Sequence, residues 1–156
     1  MRPTTDLAKE ALFNVLNNHV DFEAIRVLDL FAGTGNISLE FASRGALNVV
    51  SIENNPRCVS FMRKVVEELG FAQMHVVRAD AMGFLASVHS KFDLVFADPP
   101  YDFPRLQEIP DMVFQRDLLE PDGWLVLEHG SSTAFSTHPN LVEMRKYGRV
   151  HFSFFQ

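Results

Sequence analysis

The sequence is poor in cysteine and in basic residues, and it has no long hydrophobic run. Its single cysteine, Cys58, cannot form an internal disulfide, which is typical of a reducing compartment. We interpret Cys58 as a small buried hydrophobic residue. No apolar stretch reaches the ~18 residues that a membrane-spanning helix needs, and no apolar signal region follows the N-terminus. These absences predict a cytoplasmic protein that does not associate with membranes.

Positive charge and metal-ligand patterns are also scarce. The 14 Lys and Arg residues are outnumbered by 20 Asp and Glu residues, so the formal charge is −6, whereas nucleic-acid binders usually present a basic face. The six histidines lack metal-ligand spacing and no cysteine cluster joins them, so we expect no metal. Arg145, Lys146 and Arg149 form a small basic cluster, which we interpret as a solvated sheet edge in preference to an RNA contact.

Hydrophobic residues, by contrast, are plentiful. They make up 47% of the 156 residues, and 15 residues are phenylalanine. This composition excludes disorder as the overall state and is enough for a substantial core. We expect one domain over residues 1–156, and a monomer.

The most informative stretch is R-V-L-D-L-F-A-G-T-G, from Arg26 to Gly35. Its first half is an apolar run typical of a buried parallel strand. A glycine turn and a helical pattern follow, a layout that holds nucleotide-like ligands at a helix N-terminus, although a plain strand-to-helix connection would look similar. Asp29 brings a carboxylate to this turn. The residues that we predict to contact the ligand here are Asp29, Phe31, Ala32, Gly33, Thr34 and Gly35.

Acidic residues after the next two predicted strands extend this site. Glu53 lies 20 residues after Gly33, a spacing at which a carboxylate can accept hydrogen bonds from both ribose hydroxyls; a solvated acid at a helix start is the alternative. Asp80 can receive an adenine amino group, cap a short helix, or do both. We therefore add Glu53, Asn54, Asp80 and Ala81 to the predicted cofactor site.

The sharpest motif is Asp98-Pro99-Pro100-Tyr101. Two prolines fix the backbone, so the Pro99 carbonyl and the Asp98 carboxylate become two acceptors beside the flat ring of Tyr101. This arrangement suits the NH2 group of a planar base, because acceptors that bind both protons stabilise the charge that develops when the nitrogen attacks a methyl group. We predict Asp98, Pro99, Pro100 and Tyr101 as the catalytic loop; a rigid loop after a buried strand is the alternative.

The dinucleotide fingerprint G-x-G-x-x-G is only partly matched, because Ser38 occupies the third glycine position. This departure, together with the D-L-F-A-G-T-G motif and the double proline, favours S-adenosylmethionine over NAD as the ligand. An NAD(P)-dependent oxidoreductase remains an alternative class.

Strands alternate with helices along the chain. Five strands are predicted at 26–30, 48–52, 74–77, 92–97 and 124–127, followed by a hairpin of 142–146 and 150–155 around Tyr147-Gly148. The helices include one capped by Thr4 or Thr5, one over 56–69, and a stretch over 104–119 that we expect Pro110 to interrupt; Pro121-Asp122-Gly123 is a predicted turn. The first helix should bury a stripe of Leu7, Ala8, Ala11, Leu12, Val15 and Leu16. We expect an α/β Rossmann-like fold with a seven-stranded, mostly parallel sheet, one antiparallel strand and helices on both faces.

Several motifs together resemble the RsmD-like 16S ribosomal RNA (guanine-N2) methyltransferases over nearly the whole chain. They are R-P-T-T-D at 2–6, E-A-L-F-N at 10–14, D-L-F-A-G-T-G at 29–35, E-N-N at 53–55, D-P-P-Y at 98–101 and the Tyr147-Gly148 hairpin. The resemblance implies an S-adenosylmethionine-dependent methyltransferase fold, catalysis by Asp98 to Tyr101, and methylation of guanine N2 in the RNA of the small ribosomal subunit or its particle.

One departure from the family pattern concerns RNA binding. Members carry a short basic extension before R-P-T, whereas this sequence begins at Met1-Arg2. We therefore expect weak binding of free RNA. The remaining alternatives are an adenine-N6 methyltransferase on RNA or DNA, and a cofactor-binding module that is inactive without this segment.

Overall fold

The computed structural model describes residues 5–130 and 134–156. Its elements alternate as the apolar pattern predicts, and all described strands join one seven-stranded sheet in the order β3-β2-β1-β4-β5-β7-β6. The strands are β1 Arg26–Leu30, β2 Asn48–Glu53, β3 Met74–Arg78, β4 Phe92–Ala97, β5 Leu119–His129, β6 Leu141–Tyr147 and β7 Val150–Phe155. The helices are α1 Asp6–Leu16, α2 Asn36–Ser43, α3 Pro56–Leu69, α4 Ala81–Ser87 and α5 Glu108–Gln115, with a short 3-10 helix at Phe22–Ala24.

The strand directions match the expected fold class. Along the part of the sheet ordered β3-β2-β1-β4-β5, each strand is parallel to its neighbour. β7 pairs antiparallel with both β5 and β6. β7 is therefore the one strand that runs against the others. The carboxyl ends of β1 to β5 meet at one edge of the sheet, where ligands bind in open sheets of this kind.

Helices cover both faces of the sheet because alternate strand residues point to opposite sides. Leu12 and Phe41, from α1 and α2, pack in one core cluster with strand residues such as Val27. Leu85 and Val113, from α4 and α5, pack in a second cluster on the other face. Each of these five side chains is fully buried, so the predicted two-faced arrangement is confirmed.

Helix boundaries follow local capping signals. The Thr5 side chain accepts a hydrogen bond from the Ala8 N–H (3.2 Å) and caps α1; Thr4, the other candidate cap, lies outside the described residues. The Asn55 side chain accepts from two N–H groups at the start of α3, Pro56 occupies the first helical position, and Gly70 ends the helix in the left-handed conformation.

Three local expectations were wrong. Pro110 does not interrupt a helix: it lies in the first turn of α5, where the missing N–H has no intrahelical partner to lose. Pro121-Asp122-Gly123 does not precede the strand: it lies inside β5, which begins at Leu119, and it coincides with a register shift at which Asp122 is left-handed (φ 65°). Leu7 is 76% exposed and does not belong to the buried stripe of α1.

No helix of the described ranges is long and apolar enough to cross a membrane.

Candidate active site

A cavity of about 540 Å³ opens at the carboxyl edge of the sheet, next to the glycine turn. We call it the acidic cavity. Every residue predicted to contact the cofactor, except Gly35, lines it: Asp29, Phe31, Ala32, Gly33, Thr34, Glu53, Asn54, Asp80 and Ala81. Sequence positions far apart converge because the parallel strands end side by side. The structure thus places these residues together, and their roles toward a ligand remain predictions.

The glycine turn is a tight backbone loop after β1. Phe31 (φ 58°), Gly33 (φ 60°) and Gly35 (φ 90°) all adopt the left-handed region, which is uncommon for a residue with a Cβ such as Phe31. Gly35 lies behind the cavity wall, and a Cβ added there would meet Met62 Cγ at 2.7 Å. Gly35 is therefore required for packing of the turn against α3.

Glu53 holds the glycine turn in place. Its Oε1 accepts a hydrogen bond from the Gly33 N–H (2.7 Å), and its Oε2 accepts from the N–H groups of Asn54 (3.1 Å) and Asn55 (2.9 Å). The side chain is only 8% exposed. The carboxylate consequently ties the end of β2 to the turn after β1, a structural role that the sequence did not indicate.

Asp29 belongs to a buried polar chain beneath the cavity floor. The Ser38 hydroxyl donates to Asp29 Oδ2 (2.5 Å), and the Ser51 hydroxyl donates to Ser38 Oγ (2.7 Å). Burial raises the pKa of Asp29 from 3.8 to about 7, with smaller upward contributions from Glu53 and Glu128 and an opposing one from the Ser38 hydrogen bonds. Ser38, noted in the sequence only as a departure from a glycine fingerprint, is thus a partner of Asp29; the signal was an acid inside a buried strand, which needs a donor.

Asp80 combines cavity lining with helix capping. Its Oδ2 accepts a hydrogen bond from the Gly83 N–H (2.9 Å) at the start of α4, and the residue also lies in the cavity wall. Both proposed roles are therefore geometrically compatible.

Cys58 was wrongly interpreted as buried. It is partly exposed and lines the acidic cavity from the first turn of α3. Further lining residues that sequence reasoning missed are Asn36, Ile37, Ile52, Asn55, Ala79 and Phe96. Most of them flank predicted residues along the chain, so adjacency to the motifs was the available signal.

The predicted catalytic loop borders the acidic cavity. Asp98 and Pro100 line it, and they also line a small neighbouring cavity of about 30 Å³, which we call the loop cavity. Pro99 and Tyr101 line the loop cavity but not the acidic cavity, and Tyr101 is 79% exposed. The motif therefore extends from the wall of the acidic cavity to the exposed surface.

Two contacts fix this loop to the rest of the site. The Phe103 N–H donates to the Pro100 carbonyl (2.9 Å), and the Phe103 ring packs edge-on against Phe31 of the glycine turn, with centroids 5.1 Å apart. The Tyr101 ring lies so close to Gly130 that a Cβ there would be 2.3 Å from Tyr101 Cε2. Gly130, which follows β5, is a further residue that sequence reasoning did not find.

The electrostatic character of the acidic cavity follows from its lining. Four carboxyl groups, those of Asp29, Glu53, Asp80 and Asp98, contribute to its wall, and no Lys or Arg of the described residues does. Because burial raises the pKa of Asp29 to about 7, that residue contributes less negative charge than an ordinary aspartate. Such a cavity suits a ligand with net positive charge and disfavours one with a diphosphate. Within the ranges 5–130 and 134–156, no group of three or more His, Cys, Asp or Glu residues is arranged to hold a metal ion.

Several known proteins are similar to this chain in sequence and in architecture. A family model described as conserved hypothetical protein 95 matches residues 1–156. The ribosomal RNA small subunit methyltransferase D of Buchnera aphidicola (subsp. Baizongia pistaciae) is 28% identical, and the alignment covers 99% of this chain and 81% of that protein. The solved structure of the putative methyltransferase yhhF from Escherichia coli superposes with a TM-score of 0.88 at 30% identity, covering 100% of this chain and 87% of that one.

A more distant structure shows the same fold. The RNA methyltransferase from Salinibacter ruber, solved with S-adenosyl-L-homocysteine, has a TM-score of 0.75 at 19% identity, over 99% of this chain and 92% of that one. The likeness at this identity concerns the fold alone. On the match of the family model over its whole length, the chain belongs to the conserved hypothetical protein 95 family, that of the RsmD methyltransferases.

Proposed function

We propose that this protein methylates the exocyclic N2 amine of a guanine in small-subunit ribosomal RNA, with S-adenosylmethionine as the methyl donor. The observation that carries the proposal is the continuity of two sites. The cavity of about 540 Å³ that contains four carboxyl groups adjoins, through Asp98 and Pro100, the small loop cavity, at which the exposed ring of Tyr101 lies.

The acidic cavity supports the choice of donor. S-adenosylmethionine carries a sulfonium and an ammonium group against one carboxylate, so its net charge is positive, whereas NAD brings a diphosphate into its site. An acidic wall without Lys or Arg among the described residues attracts the first and repels the second. When bound, the donor supplies an electrophilic methyl group.

The catalytic loop supports an amine as the acceptor. The lone pair of an amine on a planar base is delocalised into the ring, which makes the nitrogen a poor nucleophile. Asp98, at the boundary of the two cavities, would accept a hydrogen bond from this amine and stabilise the positive charge that develops on it. The Pro99 carbonyl is the proposed second acceptor, and Tyr101 the surface on which the base stacks.

The choice of ribosomal RNA and of guanine rests on relatives. Relatives of this chain are named ribosomal RNA small subunit methyltransferase D. The RsmD-like enzymes, whose motifs this sequence resembles, D-P-P-Y among them, methylate guanine N2. The loop alone would serve adenine N6 equally well, since both targets are amines on planar bases.

The decisive experiment is methyl transfer from labelled S-adenosylmethionine to small ribosomal subunits and to deproteinised 16S RNA, both isolated from cells that lack this modification. The RNA is then digested to nucleosides. We expect label in N2-methylguanosine. Label in N6-methyladenosine would replace the proposal with the adenine alternative, and no transfer despite S-adenosylhomocysteine binding would indicate an inactive cofactor-binding module.

Ligand binding can be followed separately by thermal unfolding, because a ligand that binds the native state raises its stability. S-adenosylhomocysteine should raise the unfolding temperature, and NAD should leave it unchanged. The reverse result would remove the methyltransferase assignment.

Gly130 offers a test of the role of Tyr101. In Gly130→Ala the new methyl group would overlap Tyr101 Cε2, so the ring must leave its position. If Tyr101 stacks on the target base, kcat/KM for RNA should fall by about 5- to 150-fold, the equivalent of ~1–3 kcal/mol of stacking. S-adenosylhomocysteine affinity should not change.

The control for this prediction is the Tyr101→Ala background. If Gly130 acts only by positioning Tyr101, adding Gly130→Ala to Tyr101→Ala should cost nothing further. Equal losses in both backgrounds would mean that Gly130 affects the reaction by another route. Tyr101→Phe should retain most of the activity, because the aromatic ring provides the stacking.

A further inference from the structure

A third cavity, of about 670 Å³, lies beside the catalytic loop on the side of the β6–β7 hairpin. We call it the hairpin cavity. It is lined by Tyr101, Gly130, Lys146, Gly148, Arg149 and His151. Tyr101 and Gly130 also line the loop cavity, so the acidic, loop and hairpin cavities form one continuous path along the protein surface.

The pairing of β5 with β7 explains why the hairpin reaches this place. His129, the last residue of β5, pairs with His151 near the start of β7. The turn at Gly148 (φ 63°) therefore projects past the carboxyl end of β5, where Gly130 and the ring of Tyr101 lie. The turn residues are thus held beside Tyr101, the surface on which we propose that the target base stacks.

The basic cluster of the hairpin divides into two parts. Arg145 is already engaged: its pKa is raised chiefly by a hydrogen bond with Tyr147, and its Nε lies 3.4 Å from Glu143 Oε1. Lys146 and Arg149 are exposed, line the hairpin cavity, and make no ion pair with another residue of the described ranges. Two cationic groups thus face the open side of this cavity.

A second, independent feature of the cavity is His151. The residue is only 5% exposed, yet both ring nitrogens lack a hydrogen-bond partner among the described residues. The ring stacks on His129 at 5.7 Å, with planes 16° apart. A buried polar group without a partner is costly. Because His151 also lines the hairpin cavity, a small turn of the ring would bring its N–H to an oxygen atom of a ligand bound there.

We infer that the hairpin cavity binds the sugar-phosphate backbone of the substrate RNA next to the target nucleotide. Lys146 and Arg149 neutralise backbone phosphates, His151 donates a hydrogen bond to a phosphate or ribose oxygen, and the target base stacks on Tyr101 at the mouth of the loop cavity. This inference rests on the proposed function, because it takes RNA as the substrate. The formal charge of −6 strengthens the need for such a site, since the protein as a whole repels a polyanion.

The test compares charge removal at three positions of the same hairpin. The double variant Lys146→Gln/Arg149→Gln removes both cavity cations, Arg145→Gln removes a cation that is already paired, and Lys146→Arg/Arg149→Lys keeps the charge. KM for unmodified small ribosomal subunits is measured at several salt concentrations, together with kcat and S-adenosylhomocysteine affinity.

The double Gln variant should raise KM. It should also reduce the slope of log KM against log salt by about 1 to 2, because each lost phosphate contact lowers this slope by about 1 or slightly less. The charge-keeping variant and Arg145→Gln should retain the slope of the unsubstituted protein, and kcat and S-adenosylhomocysteine affinity should stay unchanged throughout. His151→Phe, which keeps the stacked ring, should raise KM about 3- to 10-fold without altering the slope.

Two negative results are distinguishable. If the unsubstituted protein transfers no methyl group to RNA, the proposed function fails and this inference falls with it. If RNA is methylated but the double Gln variant keeps the salt slope, or shifts it no more than Arg145→Gln does, the methyltransferase proposal stands and the hairpin cavity is not the phosphate site.

Discussion

Asp98→Ala is expected to lower the rate of methyl transfer by ~100-fold or more while S-adenosylhomocysteine affinity stays nearly unchanged. This is the scale for removing one preorganised group that stabilises charge in a transition state. The expectation follows from position. Asp98 comes directly after β4 and lies where the acidic cavity meets the loop cavity, and in the proposed function it contacts the reacting amine rather than the adenosine end of the donor.

The isosteric variant Asp98→Asn separates charge from shape. It preserves one acceptor and the volume of the side chain, but it cannot offset positive charge on the nitrogen, so we expect most of the rate loss to remain. Asp102→Ala is the matched control, because it removes an exposed carboxylate from the same loop that lines none of the three cavities. Its activity should be close to that of the unsubstituted protein.

The measurements are single-turnover methyl transfer and calorimetric titration with S-adenosylhomocysteine. Parallel losses of rate and cofactor affinity in Asp98→Ala would mean that the loop acts as a wall of the cofactor site. The activation of the amine by Asp98 would then be abandoned.

The fold was predictable because its local signals agree with one another. The bounds of β1 and β4 were predicted correctly, since both are short apolar runs in the buried centre of the sheet. The bounds of α3 were correct because Asn55, Pro56 and Gly70 supply a cap, a first helical residue and a left-handed stop. These signals act within a few residues of the boundary that they set.

Errors arose where tertiary contacts override such signals. Pro121-Asp122-Gly123 has the composition of a turn, and Asp122 is left-handed (φ 65°). The segment nevertheless lies inside β5, as an irregularity between the pairings Leu119–Phe92 and Trp124–Leu94. Leu7 fits the helical period of α1 and is nevertheless exposed. The Gln107 to Gln115 segment shows how position decides the effect of proline, since Pro110 falls in the first turn.

The candidate site was predictable in its residues and not in its contacts. The rule that ligands bind at the carboxyl ends of parallel strands was enough to select Asp29, Glu53, Asp80 and Asp98. The sequence could not indicate that Ser38 donates to Asp29. Nor could it place Lys146 and Arg149 beside Tyr101, because that proximity depends on the antiparallel register of β5 and β7.

Glu53→Gln is expected to weaken S-adenosylhomocysteine binding about 10- to 100-fold and to destabilise the unliganded protein by ~1–3 kcal/mol. Both effects include the loss of the contacts that hold the glycine turn. In the structure the carboxylate accepts hydrogen bonds from three backbone N–H groups, those of Gly33, Asn54 and Asn55, and hydrogen bonds to a charged group contribute ~1.5–3 kcal/mol each. Glutamine keeps the size of the side chain, but its NH2 group must oppose at least one of these donors.

Cofactor affinity falls for two reasons that the experiment can separate. Gly33 lies in the wall of the acidic cavity, so a displaced turn changes the shape of the site, and the predicted hydrogen bonds from the ribose hydroxyls to Glu53 are weakened as well. Thermal unfolding without ligand reports the first effect, and calorimetry reports the sum of both. Glu68→Gln provides the control, because it removes the same charge from an exposed position on α3 and should change neither quantity.

The comparison of the two readouts decides the role of Glu53. Lower stability together with a large loss of affinity would support both the structural contact and the predicted contact with the ribose. Lower stability with unchanged affinity would limit Glu53 to holding the turn, and the hydroxyl groups of the cofactor would then require another acceptor. The same cavity wall contains Asp80, whose Oδ2 accepts from the Gly83 N–H, and Asp80→Asn would be the next variant to measure.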